Sequence, residues 1–310
     1  MRTWLVLAAV SAVAAVAAAD ALRGGLEDGD AHVASPTAEQ RIVPPGAPSG
    51  LMGTVFYSDL RDGCRLKTLE VAGFESAPPP HSTACRFSLS PGGQLAVPGR
   101  VKWSPIGGRY ASSAGGVVEL HSVSSSQVIR FTGRSPAFKP DGTITYTRGD
   151  ELVERTSECQ AGARLLTDPG DNATARCIRT VYRHRLTALA WFSNSRFAGV
   201  LARGDLVIVD GGRVVVRAHL PGFRTASLEL SPKRTFATLW LDGVLAGVFD
   251  AEGGPAPLTP VGEVASLAWA PSERWVLAAT RTGTVFLLRP NVGDARVRRL
   301  GVSARDVAWR

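Results

Sequence analysis

The chain has 310 residues, of which 45% are apolar and 20% are charged. This is enough apolar sequence to bury a large core, so the composition argues against a chain that is disordered throughout. The 33 Gly and 20 Pro favour many short strands over long helices, because both residues interrupt helices and serve turns. The formal charge of +8 predicts attraction to anionic surfaces, but the basic residues are scattered, and no nucleic-acid partner is expected.

Residues 1–19 have the pattern of a targeting segment. Arg2 precedes a run of 17 uncharged residues, and Ala17, Ala18 and Ala19 are the small residues that a signal peptidase requires. A run of this length can also span a bilayer as an uncleaved anchor. We expect a signal peptide or a transmembrane anchor helix, with the remainder of the chain secreted, periplasmic or anchored outside the cytoplasm.

Residues 20–50 are rich in Gly, Pro, Ala and charge without apolar periodicity, which predicts a flexible linker. The folded domain is expected at residues 51–310. Within it one short pattern recurs six times: a small or aliphatic residue, a spacer and a bulky residue, often followed by proline. The bulky residues are Trp103, Phe138, Trp191, Leu230, Trp269 and Trp309.

The bulky residues lie 35, 53, 39, 39 and 40 positions apart. A period near 40 suits the four-stranded blade of a β-propeller. A β-helix or a sandwich predicts neither this period nor a bulky residue with proline at one fixed point. We therefore predict an all-β, six-bladed β-propeller. Tryptophan at one position in successive blades is expected to form inter-blade core and not a platform for sugars.

The two ends of the domain complement each other. Residues 306–310 look like a first strand without its followers, whereas residues 53–58 and 64–71 look like second and third strands without a first. Pairing these ends would close the ring and remove its exposed edges. Residues 85–97 resemble the repeat but lie close before Trp103. We assign them to the outer part of the composite blade, with seven blades as the alternative.

The four cysteines suit an oxidising compartment behind an export signal. Of three possible pairings, we favour Cys64 with Cys85 and Cys159 with Cys177, because each closes a loop of about 20 residues, where a crosslink removes useful entropy. Zinc binding is a poor alternative, since the chain has no Cys-x-x-Cys pair and no histidine at ligand spacing from a cysteine.

The spacing of 53 residues locates an insertion at about residues 156–179, and Cys159 and Cys177 lie inside it. Its turn-rich tip contains Asp168, Asp171 and Asn172. A disulfide-braced loop on a rigid scaffold is a candidate binding element, and a stapled surface insertion without function is the alternative.

Motifs for chemistry are missing from the sequence. The chain contains no G-x-S-x-G, Walker A, G-x-G-x-x-G or H-E-x-x-H motif, so we predict no catalytic, cofactor-binding or metal-binding residues and no cofactor. Lys102, Lys139, Glu229 and Asp306 are the charged residues beside the bulky positions. They include too few carboxylates for a hard cation, and they are expected to line a polar channel or to pair with one another.

The phrases LSPGG, KPDG, LSPKR and WAPSE, each after an apolar strand, resemble the WD40-like (PD40) repeats of TolB-type propeller proteins of bacterial envelopes. The resemblance covers roughly residues 51–310. It implies six blades, an extracytoplasmic location and a protein-binding role, and it transfers no individual functional residue.

Together these observations predict a non-enzymatic binding scaffold of the cell envelope that recognises a protein or an anionic wall component. A propeller that senses a small ligand in its central channel is the first alternative. A metal-dependent propeller hydrolase is the second, and the scarcity of axial carboxylates counts against it.

Overall fold

The computed structural model describes residues 51, 53–69, 79–125, 127–155, 177–290 and 297–310. This part of the chain is built of antiparallel strands with one short 3₁₀ helix, η1 (Leu60–Asp62). It contains no helix with the length and apolar character needed to cross a membrane. The predicted targeting segment at residues 1–19 and the predicted linker at residues 20–50 lie outside the described residues.

The strands follow one another with short turns. In chain order they are β1 (Val55–Asp59), β2 (Arg65–Leu69), β3 (Phe87–Leu89), β4 (Ala96–Pro98), β5 (Lys102–Trp103), β6 (Arg109–Ala114), β7 (Val117–Ser122), β8 (Val128–Thr132), β9 (Arg134–Phe138), β10 (Ile144–Arg148), β11 (Glu151–Arg155), β12 (Ile178–Tyr182), β13 (Leu186–Trp191), β14 (Arg196–Leu201), β15 (Asp205–Asp210), β16 (Arg213–His219), β17 (Ala226–Leu230), β18 (Phe236–Leu241), β19 (Val244–Asp250), β20 (Val264–Trp269), β21 (Val276–Thr280), β22 (Thr284–Leu288) and β23 (Arg298–Trp309).

Most sheets are antiparallel meanders that begin at the repeated pattern. Strands β5 to β8, β9 to β12 and β13 to β16 form three four-stranded sheets. Strands β17 to β19 form a fourth sheet, to which Pro255 adds only an isolated bridge with Phe249. Strands β20, β21 and β22 continue into the first half of β23. The first strand of each sheet contains one of the predicted bulky residues.

The long strand β23 closes the ring of sheets. Its first half pairs with β22, with Leu287 opposite Arg298, and its second half pairs with β1, with Val55 opposite Trp309. Strand β2 completes this composite sheet on the far side of β1. One continuous strand thus belongs to two sheets, which confirms the predicted pairing of the two ends of the domain.

The assignment of residues 85–97 to the outer part of the composite sheet is wrong. Strands β3 and β4 form a separate two-stranded sheet. The backbone N–H of Phe87 donates to the Asp306 carboxylate at 3.0 Å, which places β3 beside the inner end of β23. The segment before β5 has room for two strands only, so six larger sheets and one two-stranded unit surround the axis. This unit takes the place of the seventh blade that was the alternative.

Two tryptophans of the repeat pack between neighbouring sheets, whereas Trp103 is only partly buried and contacts Tyr110 of its own sheet. Trp191 and Trp269 are buried, and each donates its indole N–H to a threonine in the preceding sheet, Thr145 at 2.8 Å and Thr238 at 3.3 Å. Each pair joins an inner strand to the second strand of the sheet before it. Their role as inter-blade core is therefore confirmed.

Candidate binding site on the propeller axis

A cavity of about 520 Å³ lies where the inner strands converge. Seven inner strands contribute to its wall, namely β3, β5, β9, β13, β17, β20 and the second half of β23, together with Thr238 of β18. The cavity extends from the level of Phe87 and Asp306 to the turns that follow the inner strands. Its volume is within the range of small-ligand sites in proteins.

Five of these turns share one construction, which follows from the repeated sequence. Proline is the second residue of each turn, and the N–H of the fourth residue donates to the carbonyl of the first at 2.8 to 3.0 Å. We call them the proline turns, and the edge of the ring that carries them the proline-turn face. They comprise residues 90–93, 104–107, 139–142, 231–234 and 270–273.

The fourth residue of every proline turn has a left-handed backbone. Glycine occupies this position in three turns, with φ of 72° to 82°, as expected of the residue that adopts it without strain. Arg234 and Glu273 occupy it in the other two turns, with φ of 62° and 60°. A side chain at such a position costs roughly 1 to 2 kcal/mol.

Glu273 has a structural reason for this position. Its buried carboxylate accepts the backbone N–H of Lys233 at 2.6 Å and so caps the preceding proline turn. Asn194 does the same for the backbone N–H of Asp141 at 3.3 Å. Two pairs of neighbouring turns are thus linked by side chains at the rim of the cavity.

Two cationic side chains, one on β5 and one just before it, cross the cavity to β17. Arg100 donates to the Glu229 carboxylate at 2.8 Å and contacts the Asp306 carboxylate at 3.3 Å. The Lys102 ammonium donates to the carbonyl of Leu228 at 2.6 Å. Because β9 and β13 lie between β5 and β17 along the ring, these contacts act as struts across the axis.

The environment shifts the pKa of each of these groups. The charge of Glu229 raises the pKa of Arg100, and burial lowers the pKa of Lys102. Burial alone would raise the pKa of Glu229, but Arg100, Lys102 and the Trp240 indole together hold it below its ordinary value. Glu229 therefore stays ionised as the partner of both cations.

Asp306 joins four parts of the ring. Its carboxylate accepts the Phe87 N–H and a hydrogen bond from the Ser266 hydroxyl, in addition to the Arg100 contact. Its backbone N–H donates at 3.0 Å to Ser58, which in turn donates to the carbonyl of Cys85 at 3.1 Å. Burial raises the pKa of the Asp306 carboxyl, and Arg100 partly offsets this effect.

Cys85 is disulfide-bonded to Cys64, with Cα atoms 4.7 Å apart, so the first predicted pairing is confirmed. Cys177 is also disulfide-bonded. Cys159 lies outside the described residues, and its pairing with Cys177 stays a prediction. The candidate loop residues Asp168, Asp171 and Asn172 likewise lie outside the described residues.

The predicted axial charges separate into two groups. Lys102, Glu229 and Asp306 line the cavity. Lys139 instead pairs with Glu154 away from the cavity, at 2.5 Å, and lies over the Trp191 ring at 4.6 Å. Within the described ranges, no three His, Cys, Asp or Glu side chains gather into a group that could hold a metal ion.

Three arginines of the cavity were not predicted from the sequence: Arg100, Arg234 and Arg310. Arg234 was detectable, because it occupies the place of Gly93, Gly107 and Gly142 in the repeated turn. Arg100 and Arg310 carry no comparable signal, because their partners come from distant parts of the chain.

The ring of antiparallel sheets around one axial cavity defines the protein as a β-propeller. No protein-family model and no curated protein matches the chain. Among solved structures, it is similar to the Cps50 (Swd1) beta-propeller domain of Myceliophteria thermophila. The sequence identity is 15% and the TM-score 0.43, over 67% of this chain and 77% of that chain.

Proposed function

We propose that the protein is a non-enzymatic, extracytoplasmic binding scaffold of the cell envelope, which recognises a protein or a wall component through its proline-turn face. The observation that carries this proposal is the axial cavity, which reaches the turns of that face. Binding sites commonly form where loops are held by a rigid scaffold. Here the scaffold is a ring closed by a strand shared between two sheets.

The flanks of the insertion support the same face. Arg155 is opposite Ile178 in the register of β11 and β12, at the end of this sheet that also contains Phe138 and Ile144. That end leads into the proline turn at residues 139–142. The flanks of the insertion at about residues 156–179 therefore lie on the two outer strands of the sheet, at the end that carries the proline turn.

The proposed compartment has three supports. Residues 1–19 have the pattern of an export signal or an anchor. The disulfide between Cys64 and Cys85 is typical of proteins in oxidising compartments. The resemblance of the LSPGG and KPDG phrases to TolB-type repeats points to a bacterial envelope. Membrane attachment would come from the uncleaved N-terminal segment.

A capture experiment with matched variants tests the proposal. The tagged full-length protein is crosslinked in cells and purified from envelope fractions, and its partners are identified by mass spectrometry. Ile106→Asp changes a side chain in the proline turn at residues 104–107 that is 67% exposed. Val215→Asp makes the same kind of change on the outer strand β16, where the side chain is 54% exposed.

We expect Ile106→Asp to lose the captured partner and Val215→Asp to keep it. Loss of the captured partner in the Val215 variant alone would place the binding surface on the outer strands of the ring. Absence of the wild-type protein from envelope fractions would contradict the proposed location.

A small-ligand sensor is the second candidate function, and the volume of the axial cavity favours it. In that case a metabolite would raise the melting temperature of the purified protein by mass action, without any protein partner. A thermal-shift screen with a metabolite panel distinguishes the two candidates.

A further inference from the structure

Four cationic side chains and two carboxylates line the axial cavity. Arg100 contacts both carboxylates, Glu229 and Asp306. Lys102 donates a hydrogen bond to the carbonyl of Leu228, and its ammonium also interacts electrostatically with Glu229. The remaining two cations, Arg234 and Arg310, form no ion pair with any carboxylate in the described part of the chain. The cavity therefore has an excess of positive charge.

Arg234 and Arg310 are held by carbonyl oxygens at the mouth. Arg234 donates to Trp191 O at 2.5 Å and, more distantly, to Phe138 O at 3.5 Å. Its nearest electrostatic partner, Asp141, stays beyond ion-pair distance. Arg310 donates to the carbonyls of Leu89 and Ser90, both at 3.2 Å.

The two guanidinium groups approach the mouth from different sides of the ring. Arg234 reaches from the turn after β17 to the ends of β13 and β9, whereas Arg310 reaches from the end of β23 to the end of β3. Carbonyl contacts orient a guanidinium but leave its charge uncompensated, and Arg234 has donors to spare. Partial desolvation lowers the pKa of each guanidinium, and the charge of Asp141 offsets part of this effect for Arg234.

The backbone of Arg234 gives an independent observation. The equivalent residue in three proline turns is glycine, which takes the left-handed conformation without strain. Backbone strain of this kind clusters at ligand-binding sites, where a particular side chain is needed. Glu273, the other exception, caps a neighbouring turn. Arg234 caps no turn, and its guanidinium lines the cavity instead.

Apolar and polar groups share the remainder of the wall. Its apolar residues that are not buried between the sheets lie mostly in the proline turns and include Pro91, Trp103, Pro105, Leu230, Pro232 and Pro271. Arginine pairs with carboxylates through a planar fork of N–H donors. Exposed apolar side chains beside cations at the mouth suit an organic anion better than an inorganic ion.

We propose that the axial cavity binds a carboxylate-bearing organic ligand, whose apolar body contacts the proline turns and Trp103 and whose carboxylate is held by Arg234, with Arg310 as the second cation at the mouth. The ligand is a small molecule or the terminal carboxyl group of a partner chain. The inference rests on the proposed role of the proline-turn face as a binding surface, for which it names the ligand chemistry.

Isothermal titration calorimetry on the purified full-length protein tests this with matched probes. The probes are hexanoate with hexanamide as its neutral analogue, and N-acetyl-leucyl-leucine with a free or an amidated carboxyl terminus. We expect at least one carboxylate to bind at least tenfold more tightly than its amide, the effect of losing charge-assisted hydrogen bonds. Binding of hexanoate identifies a small-molecule source, and binding of the peptide alone identifies a partner chain.

Variants locate the carboxylate. Arg234→Gly removes the guanidinium and relieves the left-handed backbone, so it should fold and bind at least tenfold more weakly. Arg310→Gln should weaken binding similarly. Arg274→Gln is the control. Arg274 directly follows the last proline turn and is exposed, but it does not line the cavity.

The inference is overturned if neither carboxylate binds, if the amides bind equally well, or if Arg234→Gly binds like the wild type. The comparison of acid with amide in the wild-type protein decides the question even if Arg310→Gln fails to fold. A failure of the proposed function would be seen in the capture experiment and not in these titrations. Capture of a partner that persists in Arg234→Gly leaves the scaffold in place, whereas carboxylate binding without captured partners supports the sensor.

Discussion

Single side chains of the cavity hold several strands of the ring together, and Asp306 is the clearest case. Its carboxylate is 1% exposed and accepts hydrogen bonds from Phe87 and Ser266, while its backbone N–H bonds Ser58. These partners belong to β3, β20 and β1. One residue therefore connects the closing strand to three other parts of the ring.

Asp306→Ala should lower the free energy of unfolding by about 3 kcal/mol, because it leaves a buried N–H and a buried hydroxyl without their partner and removes one of the two carboxylates that contact Arg100. Urea denaturation of the purified protein measures this loss. Glu252→Ala is the control, since Glu252 forms an exposed ion pair with Arg196 and should cost less than about 1 kcal/mol. Equal losses in the two variants would show that Asp306 is not a connecting residue.

Lys102 should make the stability of the ring depend on pH. Burial lowers its pKa from the ordinary value of 10.5. Between the pKa of Lys102 in the folded protein and its higher pKa in the unfolded chain, the unfolded chain binds a proton that the folded protein has lost. The free energy of unfolding therefore rises with pH in that window. Relative to Lys102→Met, the wild type should become more stable as the pH approaches 10.5.

Urea midpoints of both proteins at several pH values from neutrality upwards measure this difference. The hydrogen bond from Lys102 to Leu228 is stronger for the charged amine, so its effect is contained in the folded-state pKa and in the slope. A difference that stays the same at every pH would mean that Lys102 has its ordinary pKa in the folded protein.

At the scale of strands and turns, sequence periodicity located the inner strands. The bulky residue of each repeat lies on an inner strand, because the same packing between sheets recurs in every unit. Closure was also predictable, since β23 and β1 each lacked a partner in their own repeat. Strands β3 and β4 were misplaced because a short segment with the same local pattern does not show whether it pairs with β2 or forms a sheet alone.

The charges of the cavity were only partly predictable. Lys102, Glu229 and Asp306 lie next to the repeated bulky position or on the same strand, so the period identified them. Their partner Arg100 meets Glu229 only after the ring has closed, 129 residues along the chain. Such pairs depend on tertiary structure, and no local pattern indicates them.

The insertion at residues 156–179 can be tested as a separate element. Because Arg155 and Ile178 are opposite each other in the register, Asn-Gly in place of residues 156–177 should close a two-residue hairpin. We expect the shortened protein to fold with its melting temperature little changed. If the insertion carries the recognition, the shortened protein should lose the captured partner.

Circular dichroism and the in-cell capture experiment measure these two results. The full-length protein with Ser in place of both Cys159 and Cys177 is the control, because it keeps the loop and loses only its predicted brace. Unchanged capture by the folded, shortened protein would restrict binding to the proline turns and the cavity.

At the scale of the whole molecule, the two faces of the ring differ. The proline turns, the cavity mouth and the flanks of the insertion share one face. The other face carries the turns between the second and third strands of the sheets, such as residues 202–204 and 242–243. A closed ring keeps both faces rigid, so a partner can be recognised without refolding of the scaffold.

Hydrogen–deuterium exchange on the full-length protein, alone and with its captured partner, tests this account most directly. We predict slower exchange in the proline turns, above all residues 104–107 and 231–234, with unchanged exchange at residues 202–204 and 242–243. Protection confined to the turns of the opposite face would contradict the account, and so would a complex without protection of any proline turn.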